Sequence, residues 1–155
     1  MSKTDIVIVK GEPVIVMTRI FDAPRALVWM ATSEPQHFVK WWGPRRMINE
    51  LVEMDVRPGG KWRIRQRDGK DGATYEFWGE YLEIVPPEKS VSTQHFLDFP
   101  PIIVTIRLED LGARTRMITE QRLDSLASRD GLLASGMTGG ASESYDRLAE
   151  LLATF

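Results

Sequence analysis

Two histidines, His37 and His95, and no cysteine stand in this sequence, and that bounds its chemistry first. A zinc, iron or copper centre takes about three protein ligands in a fixed geometry. His37 falls on a short helical stretch and His95 on an amphipathic strand, with no paired spacing, so neither a metal site nor another cofactor is expected. Lacking cysteine, the chain has no thiolate nucleophile, iron–sulfur cluster or disulfide framework, which fits a reducing compartment. His95 keeps one sharper reading, as a lone general base if its strand turns it into a pocket.

Serine hydrolysis needs a nucleophile held at a constrained turn beside a base. Ser135-Gly136 and Ala141-Ser142-Glu143 both lack the Gly-x-Ser-x-Gly frame. Gly136-Met137-Thr138-Gly139-Gly140 has neither the phosphate-loop lysine nor dinucleotide spacing, and reads as close helix packing. Glu53, Asp55 and Arg57 share a strand face and read as ion pairs on a wet surface. The row Lys61, Arg63, Arg65 and Arg67, with Arg45 and Arg46 nearby, is the one hint of a polyanion partner. Its alternation with Trp62 and Ile64 puts it on an outer sheet face. Twenty Lys and Arg against 22 Asp and Glu, a net charge of −2, also argue against nucleic acid as a partner.

The elements that position these groups change period three times. Ile6 to Ile20 is rich in Val and Ile and reads as extended, interrupted at Gly11-Glu12-Pro13. Asp22-Ala23-Pro24 starts a short helix with Asp22 as its N-cap, and Pro35 opens a second that Gly43-Pro44 stops. From Met47 to about Gln121 the period is two, with turns at Pro58-Gly59-Gly60, Asp68-Gly69, Pro86-Pro87 and Asp110-Leu111-Gly112, an antiparallel meander. Leu132, Leu133, Met137, Tyr145, Leu148, Leu151 and Leu152 then approach helical spacing, although Gly136, Gly139 and Gly140 each weaken that helix. The 155 residues, 43% hydrophobic and 27% charged, are expected to form one domain over 1–155. No apolar run is long enough for a membrane span, and the start Met1-Ser2-Lys3-Thr4-Asp5-Ile6 is not read as a signal peptide, so the expected location is the cytoplasm.

Phe21-Asp22-Ala23-Pro24-Arg25, Trp41-Trp42-Gly43-Pro44, Asp55-Val56-Arg57-Pro58-Gly59-Gly60-Lys61-Trp62 and Gly79-Glu80-Tyr81-Leu82-Glu83-Ile84-Val85-Pro86-Pro87-Glu88 occur in that order. With Gly136-Met137 and Asp146-Arg147-Leu148-Ala149, the chain resembles the bacterial single-domain relatives of the C-terminal domain of the heat-shock-protein-90 ATPase activator, within the START-like (SRPBCC) superfamily. The resemblance covers about 14–152. It implies an α+β helix-grip fold: a curved antiparallel β-sheet, two short helices, and one long C-terminal helix from Arg129 to about residue 153 that encloses a cavity. It carries no catalytic residues. The chain departs from the pattern at four positions: Ala141 where Trp is usual, Tyr145 for Leu, and Ser90 and Ser92 for Leu and an aromatic residue. These changes suggest either a larger, more polar pocket or repacking around Trp29, Trp62 or Trp78.

The function expected is binding of a small apolar or amphipathic molecule, with Met54, Trp62, Ile64, Tyr75 and Phe77 from the sheet lining the cavity. Met137, Ala141 and Tyr145 would line it from the helix, and His95 is the remaining candidate. Both faces of the strand from Thr74 to Val85 carry aromatic residues, so its phase stays open. Two alternatives stand beside this reading: an enzyme of the same fold acting on an aromatic or polyketide-like molecule, and a chaperone-ATPase regulator working through protein contacts. A homodimer and a chaperone contact are left open.

Overall fold

The computed structural model of the chain describes residues 4–155. Residues 1–3, where the stretch considered for a signal peptide begins, lie outside the described residues. The first extended region forms two strands, β1 (Asp5–Ile8) and β2 (Val14–Phe21), and two short helices follow, α1 (Arg25–Ser33) and α2 (Pro35–Phe38). Six strands come next: β3 (Met47–Met54), β4 (Lys61–Asp68), β5 (Thr74–Val85), β6 (Lys89–Phe96), β7 (Ile102–Asp110) and β8 (Thr115–Arg122). Two helices, α3 (Leu126–Ala134) and α4 (Met137–Leu152), close the chain. All strand neighbours are antiparallel, in the order β1-β2-β8-β7-β6-β5-β4-β3, the open sheet of an α+β helix-grip fold.

Alternation assigns the faces. In β4, Trp62, Ile64, Gln66 and Asp68 are buried while Lys61 and Arg63 are exposed, and in β2 Ile15, Met17, Arg19 and Phe21 turn inward. The inner face carries two cores. One packs Ile15, Met17, Phe21 and Met117 of the sheet against Val28 of α1 and Tyr145, Leu148 and Leu152 of α4. The second gathers Trp62, Ile64 and Tyr81 with the half-buried Phe38, Trp42, Met54 and Phe77. Leu148 is wholly buried, and such a side chain contributes roughly 2 kcal/mol.

Two local expectations are corrected. Pro24, in extended backbone, occupies the cap position of α1, and no side chain caps that helix, so Asp22 is not its N-cap. The C-terminal helical stretch is divided, with α3 ending at Ala134 and α4 beginning at Met137. Gly136 joins them with φ +83°, a left-handed conformation through which a right-handed helix cannot continue. Gly139 and Gly140 stay helical, and Gly140 passes close to Pro44, where an added Cβ would sit 3.3 Å from the ring.

Candidate functional site

Between the two cores runs a cavity of about 340 Å³, at the small end of ligand pockets. Met17, Met117 and Tyr145 border it from the first core, and Trp62, Ile64 and Tyr81 from the second. Its end wall is the Trp41-Trp42-Gly43-Pro44 segment. Trp42 lies beside Phe38 with ring centroids 5.8 Å apart and meets Phe77 edge-on at 5.0 Å. Trp41 donates from its indole N–H to Ala31 O at 2.8 Å, which fixes the segment to α1.

Polar side chains hold this wall from both sides. Ser144 of α4 accepts from the Gly43 N–H at 3.0 Å and donates to Trp41 O at 3.2 Å. Arg147 donates to the carbonyl oxygens of Lys40, Gly43 and Pro44 at 2.9 to 3.2 Å. From the sheet, Asn49 donates to Trp42 O at 2.9 Å, and Gln66 donates to Asn49 Oδ1 at 2.9 Å. Gly43 has φ +96°, and an added Cβ would stand 2.3 Å from Gln66 Nε2, so a side chain there is both strained and obstructed.

The cavity itself holds uncharged groups. Tyr145 is buried, and its hydroxyl shares a 2.9 Å hydrogen bond with Thr119 Oγ1. Burial pushes the Tyr145 phenol up to about 12, against the opposing pull of the Thr119 hydrogen bond. Burial raises the Tyr81 phenol as well, helped by the nearby Asp55 carboxylate. Both phenols therefore stay protonated at neutral pH, available to donate a hydrogen bond but not to act as bases. Gln121 is nine-tenths buried, and its Oε1 has no hydrogen-bond partner among the described residues.

Of the residues selected from sequence, Met54, Trp62, Ile64, Phe77, Met137, Ala141 and Tyr145 lie along this cavity. Tyr75 and His95 do not. Tyr75 shares the inward phase of Phe77 but lies one pair further along the strand, against Phe96 at 6.1 Å. His95 pairs with Trp78 across β5 and β6, and the two rings stack at 5.6 Å on the opposite face of the sheet. Its strand phase thus removes it from the cavity, and with it the general-base reading. The four departures from the resembled pattern, Ser90, Ser92, Ala141 and Tyr145, all line the cavity. Sequence reasoning missed Gln94, Thr119 and Gln121, though the spacing of Ser90, Ser92 and Gln94 two residues apart was a signal that one face of β6 is polar. Among the described residues, no group of three His, Asp or Glu side chains is placed to hold a metal, and no helix is long and apolar enough to cross a membrane.

This antiparallel sheet with its terminal helix is an architecture shared by many solved structures. Protein Ms6760 from Mycobacterium smegmatis is 23% identical, with 97% of this chain and 96% of that one covered at a TM-score of 0.87. A Rhodobacter sphaeroides protein is 21% identical over 99% of both chains with a TM-score of 0.90. A Chromobacterium violaceum protein reaches 28% identity over 89% of this chain and 96% of its own, with a TM-score of 0.79. Nothing among curated proteins matches the sequence. The family model described as "Activator of Hsp90 ATPase homolog 1-like protein" matches residues 22–153, and the chain belongs to that family.

Proposed function

We propose that this protein binds a small apolar or amphipathic molecule in the cavity between the sheet and α4. The observation that carries the reading is the cavity itself, about 340 Å³ and walled by Trp42, Trp62, Phe77, Met117 and Met137. Apolar ligand surface removed from water there contributes roughly 25 cal/mol per Å². A catalytic reading gains less support, because His95 faces away and no charged side chain lines the cavity.

Nile red, an uncharged dye whose emission rises in apolar surroundings, tests the reading. Wild-type protein should enhance its fluorescence in a saturable, one-to-one manner. Ala141→Trp, which places an indole in the cavity, should weaken binding at least ten-fold while circular dichroism shows the fold intact. Undiminished dye affinity in folded Ala141→Trp protein would place binding elsewhere.

A further inference from the structure

The sheet floor of the cavity is ordered by strand register. Across β6, β7 and β8 the cavity-lining residues form rows: Ser90, Ile106 and Thr119 in one, Ser92, Val104 and Gln121 in the next. Each row is polar at both ends and apolar in the middle. Two strand spacings separate the polar ends, roughly 10 Å. Thr119 is engaged by Tyr145, but no side-chain hydrogen bond among the described residues involves Ser90 or Ser92, and Gln121 Oε1 has no partner.

An unpaired buried amide is costly unless an occupant satisfies it. Every residue that lines the cavity is uncharged: no Asp, Glu, Lys, Arg or His is among them. An entering carboxylate or ammonium would find no opposite charge among the lining side chains, and the buried Arg19 guanidinium nearby is already paired with Asp146, which disfavours a charged occupant. A hydroxyl, carbonyl or amide group would instead exchange water for Ser92 or Gln121 at little net cost. An apolar ring between those groups would lie on Ile106 and Val104.

We propose that the cavity selects an uncharged molecule with an apolar body and hydrogen-bonding groups on two opposite edges, and that Ser92 and Gln121 are the residues that select it. This inference rests on the binding reading above and narrows its ligand class, setting fatty acids and other anionic amphiphiles aside.

Displacement of Nile red by three probes of one shape tests it: naphthalene, 2,6-dihydroxynaphthalene and 2,6-naphthalenedicarboxylate, at pH 7. The diol should displace the dye at a concentration at least five-fold lower than naphthalene, and the dicarboxylate should fail at a hundred-fold excess over the diol. Ser92→Ala and Gln121→Met should each weaken the diol three- to ten-fold while shifting naphthalene, which carries no hydrogen-bonding group, less than two-fold. Ser92→Ala trims one half-buried hydroxyl, so it carries the test if Gln121→Met does not fold. Displacement by the dicarboxylate at diol-like concentrations, or an unchanged diol-to-naphthalene ratio in folded variants, would overturn the inference and leave the binding reading standing. No Nile red binding to folded wild type would overturn both.

Discussion

Tyr145 of α4 and Thr119 of β8 meet through their hydroxyls at 2.9 Å, a hydrogen bond buried where the helix crosses the sheet. Removing either hydroxyl leaves the other unpaired beside the cavity. Tyr145→Phe and Thr119→Val should each cost about 1–2 kcal/mol in urea unfolding. The double variant should cost less than the sum, because its second substitution removes a group already without a partner.

The same buried phenol makes stability fall in alkali. Folding raises Tyr145 from 10.0 to about 12, so above pH 10 the unfolded chain loses a proton that the folded chain keeps. Stability from this group is fully present below pH 10 and is lost as pH climbs towards 12, a change of about 3 kcal/mol. Tyr81 acts in the same direction. Unfolding curves between pH 9 and 12 should therefore fall less steeply for Tyr145→Phe than for wild type.

Gly43→Ala should destabilise by about 2–3 kcal/mol, the combined effect of a left-handed φ and a Cβ driven into Gln66. The displaced Gln66 amide would release Asn49, and the Trp42 wall would loosen. A lower melting temperature together with weaker Nile red binding is the expected outcome. An unchanged melting temperature would remove Gly43 from the wall's supports.

The outer face of β4 should tolerate change. Arg63 and Arg65 both reach Glu76, at 2.7 and 3.4 Å, with side chains roughly two-fifths or more exposed. Such pairs contribute little in water. Reversing both to Glu should alter stability by less than ~1 kcal/mol in the same urea assay.

How far the sequence revealed this arrangement depended on the contrast between neighbours. In β4, Trp62 and Ile64 alternate with Lys61, Arg63 and Arg65, and the inward face was plain. In β6 the residues lining the cavity are Ser90, Ser92 and Gln94, while Val91 and His95 face outward, so the usual apolar-in pattern is inverted. Alternation shows that a strand has two faces but cannot say which is buried when the buried one presents polar side chains to a cavity. The helix boundary failed for a related reason. Gly136, Gly139 and Gly140 weaken a helix equally by composition. Tertiary packing decides which one turns left-handed, and Gly136 does so while Gly140 is pressed against Pro44.

The Gly136 joint also bears on time. Helix α3 has no wholly buried residue, yet its Leu132 lines the cavity. Arg129 fastens the helix by donating to the carbonyl oxygens of Val9 and Glu12 at 2.9 and 2.7 Å. A segment with so little buried surface is among the first to open in a folded protein. Amide hydrogens of α3 are therefore expected to exchange with solvent before those of α4, and loss of the Arg129 hydrogen bonds would hasten that exchange.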